Sequence, residues 1–338
     1  ILELKQGHRS FLHVYGALVT IVSYVPKETR MTQAHCDRYH VSISNGYWCR
    51  RAISATRSTV PALFQAGRIV SQHNTMPTRR TGRRCPTSAL VPNIDTHADG
   101  DLKKYMETNE NLKAQTAQVG TNPHNVATIS YLGYVAPEGP GGKIYQAANI
   151  SYADEAAPDL ARFEEGLRAS GNTNGHSFTN TVIGHSYGST TAGKAMTQVT
   201  EGTVDNFIMR SSPGAESTDQ YNVPEGHVYE SSVPEGDAAQ GLGPDTEYGT
   251  NPKKLSAITH LSGDTTDSEN YKIPGEDYVR NTGHPFKQAA DILDTPFLNH
   301  DTYFDEGTRT SQDFSNIIAG SKQTADDEWT AIEMERGK

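Results

Sequence analysis

Cysteine is scarce in this chain: Cys36, Cys49 and Cys85 are the only three in 338 residues. Three thiols close no complete disulfide framework, and their spacing is not that of zinc ligands, so neither a stapled scaffold nor a zinc site organises the sequence. There is no Walker A loop and no GxGxxG between a strand and a helix, which argues against a nucleotide cofactor. Two carboxylate-rich stretches, DTHADGD at Asp95–Asp101 and DTTDSE at Asp264–Glu269, lack EF-hand spacing and read as solvated acidic loops rather than calcium sites. No cofactor and no metal are expected. Long apolar runs are equally rare. Phe11–Val25 is the single example, and at 15 residues with an internal histidine and two tyrosines it is too short and too polar for a membrane span. Lys5 and Arg9 precede it, but no small-residue cleavage site follows, so it reads as a buried strand or helix rather than a signal or anchor. Membrane association is not expected, and a cytoplasmic location is favoured over a secreted one.

Charge is present but unevenly spread. Residues 1–86 hold 13 Lys/Arg against 3 Asp/Glu, and the remainder holds 17 against 37, so the two parts carry about +10 and −20. The first part shows no sustained helical or strand period and reads as a basic leader, poorly patterned and of uncertain order. Its run Arg79-Arg80-Thr81-Gly82-Arg83-Arg84 has no aromatic platform beside it, and the acidic remainder repels phosphates, so nucleic acid is not an expected partner. Residues 321–338 read as an acidic C-terminal tail. The oligomeric state is not legible.

From Thr87 onward, strand-like and helix-like segments alternate, as in a mostly parallel sheet flanked by helices. Strands are expected at Ser88–Val91, Val126–Tyr134, Asn180–Ile183, Val204–Met209, His227–Glu230 and Lys254–Leu261. Helices are expected at Asp101–Gln118, Ala153–Ser170, Ser189–Val199 and Ser311–Ala319. In the second helix, Leu160, Phe163 and Leu167 recur at i, i+3 and i+7 and form one apolar stripe. Residues 233–252 and 262–299, rich in Gly, Pro, Asp and Asn, read as long loops, where function often resides.

The chemistry-bearing motif is Gly184-His185-Ser186-Tyr187-Gly188, set between the apolar strand Asn180–Ile183 and a helix. It reads as a nucleophile elbow, a turn that strains the serine backbone and needs small residues two positions away on either side. A serine nucleophile needs a base to take its proton and a third group to orient that base. In the strand-by-strand order Ser, Asp/Glu, His, the acids after Ser186 near a strand end are Glu230, Glu235 and Asp237. The histidines are His227, His260, His284 and His300. Asp237, in the turn Val233-Pro234-Glu235-Gly236-Asp237, and His300, just before the last helix, are preferred. His260 and His284 read as a strand-end and a surface imidazole. Oxyanion donors are expected from the backbone N–H of Tyr187 and from Asn93 or Ile94, in the loop after the first strand. His185 and Tyr187 side chains either shape the pocket or pack the core.

Several segments together resemble one family, the actinobacterial α/β-hydrolases catalogued as a domain of unknown function. They are LVPNIDT at Leu90–Thr96, ATISYLGYVAP at Ala127–Pro137, VIGHSYGST at Val182–Thr190, SSPG at Ser211–Gly214 and NHDTYF at Asn299–Phe304, spread over most of residues 87–320. The resemblance implies an α/β-hydrolase fold over 87–320, with Ser186 as nucleophile, Asp237 as acid and His300 as base. Two positions depart from the family: Asn93 stands where a glycine is usual, a change that asparagine's tolerance of left-handed angles would accommodate, and Val135 stands where an aspartate is usual. The function expected is a serine hydrolase of small-molecule carboxylic esters working through an acyl-enzyme. The alternatives are a non-catalytic or secretion-associated interaction module and an acyltransferase.

Overall fold

The computed structural model describes residues 9–15, 18–24, 70–72, 85–97, 101–119, 126–139, 146–173, 178–216, 220–233, 237, 239, 248–272 and 299–320. Cys36, Cys49, the run Arg79–Arg84, Glu235, His284 and the acidic tail lie outside these residues. The strands are β1 Arg9–Tyr15, β2 Leu18–Tyr24, β3 Val70–Gln72, β4 Cys85–Val91, β5 Ala127–Tyr131, β6 Phe178–His185, β7 Asn206–Arg210, β8 Val228–Ser231 and β9 Thr259–His260. The α-helices are α1 Leu102–Gln118, α2 Ser151–Thr173, α3 Tyr187–Met196 and α4 Arg309–Ala319.

One sheet holds all nine strands in the order β1-β2-β3-β5-β4-β6-β7-β8-β9. The six from β5 to β9 in that order run parallel, whereas β1, β2 and β3 add antiparallel at the β5 edge. The apolar run at Phe11–Val25 thus contributes to two strands rather than one element. β6 lies in the middle, and seven of its eight residues are buried. That double burial fits the adjacent Val182 and Ile183, which do not alternate with polar residues.

Alternate residues feed two cores. Ala89, Val91, Val182, Phe207 and Met209 pack with Leu160 and Phe163 of α2 and Ala192 and Met196 of α3. Leu90, Ile183 and Ile208 pack on the opposite side with Leu112 of α1 and Phe314, Ile317 and Ile318 of α4. The period-2 side-chain alternation of strands produces this division, and each fully buried Leu, Ile or Phe contributes about 1.5–3 kcal/mol. α4 is well bounded: the Thr308 hydroxyl accepts from the Ser311 N–H, and Gly320 closes the helix at φ 65°.

Two expected boundaries are corrected. Lys254–Leu261 is not one strand: Pro252–Lys254 forms a 3-10 turn in which the Asn251 side chain accepts from the Lys253 N–H, and only Thr259–His260 pairs with β8. Proline's fixed φ and the asparagine cap favour a turn over the extended form. Likewise β5 stops at Tyr131 instead of reaching Tyr134, whose hydroxyl donates to the Pro92 carbonyl at 2.6 Å. Among the described residues no helix is long and apolar enough to cross a membrane.

The connections diverge at the carboxyl ends of β4 and β6. β4 leads into α1 on one side of the sheet, and β6, its immediate neighbour, leads into α3 on the other. Adjacent strands whose exits diverge in this way form a switch point, where open α/β sheets bind ligands. Ser186 and the Pro92–Ile94 loop lie at those two ends.

Candidate active site

Ser186 sits between β6 and α3 with φ 54° and ψ −127°. For a residue with a Cβ this conformation costs about 1–3 kcal/mol. Its N–H donates to the Arg210 carbonyl at 2.9 Å, which fixes the turn to the end of β7. Both flanking glycines are sterically required. A Cβ at Gly184 would lie 2.3 Å from the Ser189 Cα, and one at Gly188 would lie 2.2 Å from the Pro92 carbonyl oxygen. The close approach at Gly188 brings the start of α3 against the loop after β4.

Asp237 and His300 are brought together, both buried. The His300 Nδ1 lies 2.9 Å from Asp237 Oδ1 and 2.8 Å from the Ser211 Oγ. The Asp237 carboxylate also accepts from Ser211 Oγ at 2.6 Å, from the Ala239 N–H at 2.8 Å, and from the Tyr303 hydroxyl. Burial alone would raise the Asp237 pKa, but the hydrogen bonds from His300, Ser211 and Tyr303 and the nearby imidazole outweigh it and hold the carboxyl at about 2. An ionised carboxylate only accepts, and the Ser211 proton is directed to Oδ2. His300 Nδ1 therefore carries the hydrogen, and in the neutral imidazole this leaves the lone pair on Nε2, the tautomer a general base needs.

The His300 main chain is pinned as well. Its carbonyl oxygen accepts from Arg210 Nη2 at 3.2 Å and from His185 Nε2 at 3.1 Å. The two imidazoles lie with centroids 4.5 Å apart, their planes tilted by 36°. His185 is fully buried; burial, then Arg210 and His300, push its pKa well below the usual value, so it is a neutral donor. The Arg210 guanidinium lies over the rings of Tyr303 and Phe304, at 4.8 and 4.2 Å from their centroids, and burial lowers its pKa to about 10. Ser186 and His300 are thus tied to the same residue of β7, Ser186 through its amide and His300 through its carbonyl. Among the described residues the Ser186 Oγ has no hydrogen-bond partner. In unliganded enzymes a nucleophile–base bond often tightens only when substrate arrives.

The Tyr187 N–H opens α3, among the four amides that helix geometry leaves without an intrahelical acceptor. Asn93 and Ile94 are half-buried, and among the described residues neither amide donates to a carbonyl. The Asn93 side chain accepts from the Thr96 and Tyr105 hydroxyls at 3.0 and 2.9 Å. The left-handed residue of this loop is Asp95, at φ 54°, and not Asn93, so the asparagine is held by side-chain hydrogen bonds rather than by its backbone tolerance. Val135 is 74% exposed, so it buries no apolar side chain where the resembling family has an acid.

The remaining candidates have other partners. His260 approaches Glu230 Oε2 at 3.2 Å and the Leu255 carbonyl at 2.9 Å, and His227 pairs with Asn206 Oδ1 at 2.8 Å. The Tyr187 side chain packs with Ala153 and Tyr248 and donates to the Asn149 carbonyl at 2.5 Å, which makes it part of the fold. Carboxylates in the two acidic stretches have backbone partners: Asp101 accepts from His97 and Asp264 from Thr266 in local turns, and Asp95 accepts from the distant Gly139 N–H. Among the described residues no group of three or more His, Cys, Asp and Glu could hold a metal ion. Sequence reasoning missed Ser211, Arg210 and Tyr303. The available signal was a charged residue following the apolar run Phe207–Met209 at the end of the strand Asn206–Arg210, whose five residues are all buried.

A family model described as alpha/beta hydrolase matches residues 84–241. With the six-stranded parallel sheet and its flanking helices, this identifies the fold as that of the α/β-hydrolases. Among solved structures the chain is similar to Est1E from Butyrivibrio proteoclasticus with bound ferulic acid (13% identity, 43% of this chain and 50% of that one, TM-score 0.26). It is also similar to XC6422 from Xanthomonas campestris, an α/β serine hydrolase without a lid (14%, 48% and 64%, TM-score 0.28). A third is a cutinase-like protein from Cryptococcus sp. (14%, 72% and 100%, TM-score 0.36). The chain spans between half and two thirds of the length of the first two. No curated protein matches it.

Proposed function

We propose that this α/β-hydrolase-fold chain is a serine hydrolase of small carboxylic esters. The observation that carries the reading is the buried Asp237–His300 pair at the end of the sheet where Ser186 occupies a strained strand-to-helix turn. His300 Nε2 takes the Ser186 hydroxyl proton as Oγ attacks the ester carbonyl. The oxygen of that carbonyl becomes an oxyanion, held by the N–H groups of Tyr187 and of Asn93 or Ile94. Collapse of the tetrahedral species breaks the bond to the alcohol, which leaves with the proton from Nε2. Water then attacks the acyl-serine with His300 again taking the proton, and the acid departs from regenerated Ser186. Throughout, the Asp237 carboxylate stays ionised and stabilises the imidazolium.

The test is turnover of a short p-nitrophenyl ester by the full chain and by Ser186→Ala. The expected loss is more than about 1,000-fold in kcat. Unchanged turnover in the variant overturns the proposal.

A further inference from the structure

We infer that Ser211 is a positioning residue of this site, a hydroxyl that closes a three-membered hydrogen-bonded ring with Asp237 and His300 and fixes the plane and tautomer of the imidazole. The inference rests on the serine-hydrolase reading and adds a group to it. Ser211 follows β7 directly and is fully buried. Its N–H donates to the Ser231 carbonyl at 2.8 Å, so the turn is anchored on β8. Its Oγ gives its proton to Asp237 Oδ2 at 2.6 Å and turns a lone pair to His300 Nδ1 at 2.8 Å, while Asp237 Oδ1 lies 2.9 Å from the same nitrogen. One N–H thus faces two acceptors on different strands' loops. A single carboxylate oxygen would let the ring pivot about one hydrogen bond; two acceptors in different directions remove that freedom.

The backbone supplies an independent observation. Ser211 has φ 49°, one of three non-glycine residues with positive φ among the described residues, and another of the three is Ser186 itself. Glycine adopts this conformation without strain, so the fold alone does not call for a side chain here. The hydroxyl is also the only part of the side chain that can bond; it bonds the proposed acid and base and sits beside the Tyr303 hydroxyl, which bonds the same carboxylate oxygen.

The substitution that separates these roles is Ser211→Gly, which suits the backbone and removes the hydroxyl; Ser211→Ala removes the hydroxyl and keeps the strain. Full chains of both, of wild type, of Ser186→Ala, of Asp237→Asn and of the double variant Asp237→Asn/Ser211→Gly are assayed on p-nitrophenyl acetate across pH. The low-field proton NMR resonance of the His300 Nδ1 hydrogen is recorded in parallel. Loss of one hydrogen bond to the base lowers kcat about ten-fold in Ser211→Gly, with KM changed less than about two-fold. The acid limb of its kcat/KM profile moves, and the low-field resonance shifts. Because the Ser211 oxygen remains as an acceptor when Asp237 becomes an amide, the double variant falls about ten-fold below Asp237→Asn. Wild-type kcat, pH profile and resonance in Ser211→Gly overturn the inference. If Ser186→Ala keeps its turnover, the serine-hydrolase reading falls first, and this inference falls with it. If Ser186→Ala is inactive and Ser211→Gly is unaltered, only the role given to Ser211 is wrong. The resonance needs no substrate, so it judges the ring geometry separately from the choice of ester.

Discussion

Arg210 donates from Nη2 to the main-chain oxygen of His300 at 3.2 Å, and its own carbonyl accepts the Ser186 N–H at 2.9 Å. The proposed nucleophile and base are therefore positioned by one residue. Its guanidinium is buried, and its Nε has no hydrogen-bond partner among the described residues. Desolvation offsets much of what the contact contributes to stability. Arg210→Met is expected to lower kcat about ten-fold with little change in KM, while the melting temperature moves by only a few degrees. Steady-state kinetics beside thermal melting checks this. Wild-type kcat would show that the His300 carbonyl needs no such anchor.

Gly188→Ala forces a Cβ to within 2.2 Å of the Pro92 carbonyl and 2.6 Å of that of Val91. Both obstacles are backbone, so α3 and the loop after β4 must separate. The expected result is a loss of about 1–3 kcal/mol in stability together with at least a ten-fold drop in kcat, because the Tyr187 amide and the Asn93–Ile94 loop move apart. Urea unfolding and ester turnover measure the two effects.

Asp237 ties stability to acid pH. Its carboxyl is held at about 2, against an ordinary value of 3.8. A depressed carboxylate pKa contributes stability that is fully present above the unfolded value and is lost as pH falls through the folded value. The contribution is on the order of 2 kcal/mol. Wild type should lose stability steeply between about pH 4 and pH 2, and Asp237→Asn should show a flatter curve over that window. Denaturant titrations at several pH values compare them.

Glu164 behaves in the opposite sense. It is fully buried in α2 and accepts from Asn180 Nδ2 at 2.8 Å. Desolvation raises its pKa from 4.5 to about 7, against the opposing effects of Asn180 and Arg168. The native state then holds a proton that the unfolded chain releases, so stability falls as pH rises from about 4.5 to 7 and is level above that, by about 3 kcal/mol in all. Glu164→Gln keeps the shape and removes the titration. It is expected to be more stable than wild type at pH 8 and about equal at pH 4, as read from denaturant midpoints.

Much of this was legible because local rules and the fold agreed. The apolar strand before Ser186, the glycines flanking it and the helix after it are short-range features, and the structure builds them as β6, a positive-φ turn at Ser186 and α3. The stripe Leu160, Phe163 and Leu167 enters the core of α2 for the same reason. The order of acid and base pointed to Asp237 and His300, 63 residues apart, which the fold brings within 2.9 Å. Ser211 was not legible as a partner of His300, since it lies 89 residues away and its role comes only from the adjacency of the ends of β7 and β8. Lys254–Leu261 misled in the other direction. Leu255, Ala257, Ile258 and Leu261 suited a strand, but Pro252 and the Asn251 cap made a turn at its start.

The central claim is that Ser186 is an activated nucleophile, and labelling by a fluorophosphonate probe tests it most directly, because only such a serine reacts. The account predicts one covalent adduct per folded chain, located on the peptide containing Ser186 by mass spectrometry and abolished in Ser186→Ala and strongly slowed in His300→Ala. Absence of labelling in the folded chain, or an adduct on another residue that survives Ser186→Ala, would contradict it.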